Sequence, residues 1–141
     1  MLKRLAQFLA VCVITSGCVA AAPTADQQAQ TLCSGPALTA AAATGGKSVA
    51  ASFPTTAKTV LDWAAQGHSA SQVAALAKID PDSVVAFCYM DGDYAGYPQP
   101  PGGHVDYTRA LYIVPQGGEP IQYWVGPARP EDLVGPDKAA P

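Results

Sequence analysis

Val84-Val-Ala-Phe-Cys-Tyr-Met90, Val105-Asp-Tyr-Thr-Arg-Ala-Leu-Tyr-Ile-Val114 and Ile121-Gln-Tyr-Trp-Val125 are the stretches whose reading decides the fold. Each is rich in β-branched and aromatic residues and bounded by Gly and Pro clusters, which predicts three strands. Pro115-Gln-Gly-Gly-Glu-Pro120 is short enough to join the last two as an antiparallel hairpin, whereas Asp91 to His104 forms a longer loop between the first two.

Upstream, the apolar period becomes helical. Thr55 or Thr56 can cap a helix in which Ala57, Val60, Leu61, Ala64 and Ala65 share a face, with Gly67 as its stop. Ser69 and Gln72 have capping-box spacing ahead of a second stripe, Val73, Leu76 and Ala77, and Pro81 lies beyond it. Leu38 to Ser52 is Ala-rich, is broken by Gly45-Gly46, and is compatible with helix or strand. The expectation is a single α+β domain over residues 31–127: a small antiparallel sheet of about three strands with two short helices packed on one face. Residues 18–30 are small and polar, as in a tether, and residues 128–141, rich in Pro, Ala and charge, read as a flexible tail.

The first residues read as an export signal over 1–17. Lys3 and Arg4 supply the positive start, and Leu5 to Ile14 form an apolar run shorter than the roughly 20 residues a membrane-spanning helix needs. Ser16-Gly17-Cys18 resembles the lipobox of bacterial lipoproteins, in which small residues precede a cysteine whose thiol receives a diacylglyceryl group before cleavage. Thr15 stands where such boxes usually carry Leu. The resemblance covers the signal region alone and implies lipidation at Cys18, with the domain anchored on the extracytoplasmic side of the cell membrane. The competing expectation is secretion after cleavage among Val19-Ala20-Ala21-Ala22, as a soluble ligand carrier or inhibitor.

Cysteine use agrees with export. Cys12 lies inside the signal and Cys18 is acylated or removed, which leaves Cys33 and Cys88 as a pair and predicts one disulfide. Loss of Lys3 and Arg4 takes the formal charge from -3 to -5. The remaining cations, Lys47, Lys58, Lys78, Arg109, Arg129 and Lys138, are scattered, so no basic stripe exists to neutralise phosphates and nucleic acid is not an expected partner.

Several motif fragments fail on their own chemistry. Ala41-Ala-Ala-Thr-Gly-Gly-Lys47-Ser48 ends like a phosphate-binding loop but has Ala41 where the first glycine belongs. Asp91-Gly-Asp93-Tyr-Ala95-Gly96 opens like a calcium loop, yet Ala95 and Gly102 stand where oxygen ligands are required. His104 and Asp106 share a strand face, a weak metal pattern, and no metal or other cofactor is implied. His68 and His104 could act as bases, and a small hydrolase using His104 with Asp91 or Asp106 is the least favoured reading, because no nucleophile elbow accompanies them.

The aromatic distribution points instead to binding. All six tyrosines fall in the strand-and-loop half, and Tyr94 and Tyr97 lie in the Pro/Gly loop, where a rigid ring with a wet hydroxyl suits recognition. Strand alternation places Arg109 on the face of Leu111 and Ile113, where it needs a carboxylate partner or an anionic ligand. Candidate binding residues are therefore Tyr94, Tyr97, His104 and Arg109. The expected role is binding or structural support in the envelope, with the membrane contacted through the lipid anchor and an envelope protein or glycan as partner.

Overall fold

The computed structural model describes residues 20–67 and 69–138; the stretch read as an export signal, with Cys12 and Cys18, lies outside the described residues, as does His68. Four antiparallel strands, β1 (Gly46–Thr56), β2 (Val84–Gly92), β3 (Arg109–Pro115) and β4 (Ile121–Gly126), form one sheet in chain order. Thr56 lies opposite Val84 and Val85 opposite Pro115 at one end of the sheet, from which the tight 116–120 turn emerges. Gly46 lies opposite Gly92, Asp91 opposite Arg109, and Arg109 opposite Gly126 at the other end, which carries the 93–108 loop.

The near-continuous apolar reading of β2 has a physical cause: both faces of the strand are covered. Ala86, Cys88 and Met90 pack with Ala110, Tyr112 and Val114 against the N-terminal helical segment. Val85, Phe87 and Tyr89 pack with Leu111 and Ile113 against α3 (Ala57–Ala65) and the 3₁₀-helix Ala70–Lys78. The two expected helices thus do share one face. The other face is covered by a helical layer that the sequence left undecided: α1 (Ala25–Leu32), a π-helical turn at Cys33–Ala37, and α2 (Leu38–Ala42).

That layer sits close to the sheet because its contact stripe is small. Ala29, Cys33, Ala37 and Ala41 are all fully buried at four-residue spacing. In a helix of 3.6 residues per turn, each such step overshoots by about 40°, and the wider π turn takes up part of that drift. Pro36 lies inside the turn and cannot donate to the carbonyl of Leu32, while the Leu38 amide reaches back to the Cys33 carbonyl. The disulfide between Cys33 and Cys88 then ties the layer to the middle of β2.

Several local expectations are corrected. The fourth strand, β1, occupies much of the ambiguous Ala-rich stretch, as an edge strand in which Pro54 is tolerated opposite Ala86. α1 begins inside the stretch read as a tether, and a capping box starts it: the Gln27 amide donates to Thr24 Oγ1 at 3.3 Å and the Thr24 amide to Gln27 Oε1 at 2.9 Å. Of the two candidate threonines, Thr56 caps α3, accepting from the Thr59 amide, but Ser69 makes no side-chain cap and the following element is 3₁₀ rather than α. Gly45-Gly46 belongs to a backbone crossing. The Asp93 amide donates to the Gly45 carbonyl at 2.9 Å, and a Cβ on Gly92 would sit 2.3 Å from that same oxygen.

The stretch read as a tail, as far as Lys138, is a strap across the α3 face. The Ala128 amide donates to Thr108 Oγ1, a 3₁₀ turn follows at Pro130–Asp132, Leu133 joins the core, and Gly135 rests on Phe53 of β1.

Replacing both Cys33 and Cys88 with Ala is expected to lower stability by about 4 kcal/mol, the chain-entropy value for a 55-residue separation. Urea denaturation measures it, and an unchanged midpoint would contradict it.

Candidate functional site

The 93–108 loop is built outward from a buried ring. Tyr94 is fully buried, its amide donates to the Tyr107 carbonyl at 2.9 Å, and its hydroxyl donates to the Met90 carbonyl at 3.1 Å. Burial, reinforced by the neighbouring Tyr112, Asp91 and Tyr97, pushes its phenol well above the usual range, so the hydroxyl stays protonated as a donor. Tyr94 is therefore a core residue, contrary to the expectation of an exposed contact. Its ring meets Tyr97 edge-on at 6.3 Å, and Tyr97 meets Tyr107 at 5.8 Å. The Tyr97 hydroxyl accepts from Gln122 Nε2 of β4, and the Tyr107 hydroxyl donates to the Pro98 carbonyl at 2.8 Å.

Above this stack, one side chain holds the loop's two arms together. Gln99 donates from Nε2 to the Val105 carbonyl at 3.0 Å and accepts at Oε1 from the Val105 amide at 2.7 Å, completing the pair of bonds that a neighbouring strand would supply. The Gly103 amide closes a turn on the Pro100 carbonyl, and Asp93 accepts from the Ala95 amide at the loop's start. Pro98 and Pro100 to His104 are exposed at the tip. His104 Nε2 lies 2.9 Å from Asp106 Oδ1, but their side chains are 75% and 79% exposed. Water screens such a pair, so it forms neither a rigid metal arm nor a desolvated acid–base site.

Arg109 has the carboxylate that its strand position requires. Its Nε donates to Asp91 Oδ1 at 2.6 Å and Nη2 to Oδ2 at 3.1 Å across the β2–β3 register, while Nη1 donates to the Arg129 carbonyl of the strap at 2.8 Å. The bond to Asp91 outweighs burial and holds the guanidinium charged. Arg109 is 7% exposed beneath the strap and fixes β2, β3 and the C-terminal segment together, so of the two expected partners it has the carboxylate and not an anionic ligand. The same pairing occupies both oxygens of Asp91, which takes that carboxylate away from the calcium-like and hydrolase-like readings.

Four candidates from the sequence thus separate. Tyr94 and Arg109 lie inside, whereas Tyr97 and His104 belong to one ordered loop. The glutamines Gln99 and Gln122 escaped sequence reading because a lone amide carries no pattern; only Gln99's place opposite Val105 gives it a role. Sequence reading also missed a small cleft of about 240 Å³ between Phe53 and Pro54 of β1 and the strap from Leu133 to Lys138. Among the described residues, no helix is long and apolar enough to cross a membrane.

Asp91→Ala leaves the Arg109 guanidinium buried without its counter-charge and is expected to cost about 2 to 3 kcal/mol. That is below the 3–5 of a fully buried pair, because the Asp91 side chain is 41% exposed. Thermal or urea denaturation reads it, and wild-type stability would refute this role for the pair. No protein-family model, curated protein or solved structure matches the chain, so its reading rests on the geometry of the chain itself.

Proposed function

We propose that this chain is an exported, lipid-anchored protein of a bacterial envelope that acts by binding a protein partner through the tip of its 93–108 loop. The observation that carries the export half is the buried Cys33–Cys88 disulfide, a bond that persists in oxidising compartments, in a chain that starts with the Lys3-Arg4, Leu5 to Ile14 and Ser16-Gly17-Cys18 pattern. The binding half is supported by the loop's order. Its tip is held by the Gln99–Val105 bonds and the tyrosine stack, so a partner meets a surface whose conformational entropy is already lost.

The loop chemistry favours protein over glycan. A sugar is held by stacking on a free aromatic face, and the rings of Tyr97 and Tyr107 are half-buried in a tilted contact with each other and, through Tyr97, an edge-on contact with Tyr94. What the tip offers is Pro98, Pro100 and Pro101 with the imidazole of His104, a surface suited to an aromatic-lined protein groove.

Cys18→Ala is expected to move the protein from the membrane fraction to the soluble fraction, and mass spectrometry of the wild-type mature N-terminus to show a diacylated or triacylated cysteine. An unmodified terminus at Ala21 or Ala22 would instead establish plain secretion. Pro101→Ala combined with His104→Ala, both exposed, should leave melting unchanged while weakening capture of envelope protein by the purified domain. Undiminished capture would remove the loop from recognition, and competition by isolated cell-wall glycan would reassign the partner.

A further inference from the structure

The helical layer gives the domain a direction. α2 ends at Ala42 beside the Gly46 end of β1, where Gly46 faces Gly92, and nine residues earlier Cys33 is bonded to Cys88 in the middle of β2. Nine helical residues rise about 14 Å. The four residues from Cys88 to Gly92 advance about 13 Å along the strand. Equal travel means that the helical layer runs along the strands. Continued through α1, which packs on β1 and β2, it advances about 12 Å more and brings Thr24 level with Val84. The chain therefore comes into the domain at the sheet end that carries the 116–120 turn, and the 93–108 loop projects from the opposite end, roughly 26 Å away along β2.

We infer that the anchored domain stands on its 116–120 end and holds the 93–108 loop outward, so that the loop meets partners in the aqueous compartment rather than lipids or membrane-embedded proteins. The inference rests on the proposed anchor at Cys18. Residues 19–24 can span at most about 20 Å, which keeps the tethered end close to the bilayer. The exposed carboxylates Asp26, Asp80, Asp82 and Glu119 gather at that end against Lys58, which is paired with Asp62, and Lys78, so the short tether, and not charge attraction, holds this end near the bilayer. Opposite, the exposed loop tip from Pro98 to His104 carries no Lys or Arg to draw it down to lipid headgroups.

Full-length lipidated protein carrying Glu119→Cys or Pro101→Cys, each labelled with a donor fluorophore at its one free thiol, can be reconstituted into vesicles containing a headgroup-labelled acceptor phospholipid. The expected result is severalfold stronger energy transfer from position 119 than from position 101 on protein that floats with the vesicles. Equal transfer, or stronger transfer from 101, on floating protein overturns the orientation and leaves the anchor standing. Failure of the protein to float with the vesicles overturns anchor and orientation together. In Cys18→Ala protein carrying either label, transfer is expected to vanish, and persistent transfer would show that the domain contacts lipid by its own surface, against the inference.

Discussion

Burial of β2 on both faces is the constraint on which the rest of this structure depends. A strand so placed must be apolar wherever both its faces are covered, must have a layer on either side, and must hold those layers without exposed edges of its own. Its even-numbered residues meet the N-terminal helical layer and its odd-numbered residues meet α3 and the 3₁₀-helix. At Cys88 it is covalently joined to one layer, and at Asp91 it is ion-paired to β3. At Gly92 it is crossed by the Gly45 carbonyl so closely that no side chain fits. A chain of this size buries a modest core, and the disulfide adds stability that packing of Ala-sized side chains supplies sparingly.

The loop end of the sheet shows how a charged side chain is kept inside such a core. Arg109 stands on a face otherwise occupied by Leu111 and Ile113, and a bare guanidinium there would be unstable. Asp91, directly across the ladder, supplies a two-point counter-charge, and the strap closes over the pair with its Arg129 carbonyl. Tyr89 performs a similar service two residues earlier, donating from its hydroxyl to the Val134 carbonyl at 2.8 Å. The C-terminal segment is thus held through its backbone carbonyls by side chains of the sheet, which explains how a stretch with little local structural preference is ordered.

The candidate site was legible only in part. The loop stood out in the sequence by its length and its Pro, Gly and Tyr content, and the structure gives that composition two separate uses. Tyr94 and the inner edge of Tyr97 serve packing, while Pro98 and Pro100 to His104 remain outside. Residue type alone could not divide them, because a tyrosine is equally suited to a core edge and to a contact surface. The compartment proposal rests on different ground, the signal-like pattern of residues 1–18 and the Cys33–Cys88 disulfide.

By itself the sequence determined the three strands from Val84 onward, although the second begins at Arg109 rather than at Val105, together with the short hairpin turn, the helix after Thr55-Thr56 and the Cys33–Cys88 pairing, since each follows from local period, turn chemistry or elimination among few cysteines. Tertiary structure alone decided the rest. The Ala-rich stretch became helix before Gly45 and strand after Gly46 because alanine fits either state and only contact with β2 selects between them. Thr24 with Gln27 and Ser69 with Gln72 offer the same capping spacing. Only the first forms a box; at the second, the Ser69 amide is instead bonded to the Tyr123 hydroxyl of β4, and the helix tightens to 3₁₀. The small stripe from Ala29 to Ala41 acquires meaning only against a sheet, because its stabilisation comes from close approach between layers, a property that no window of sequence contains.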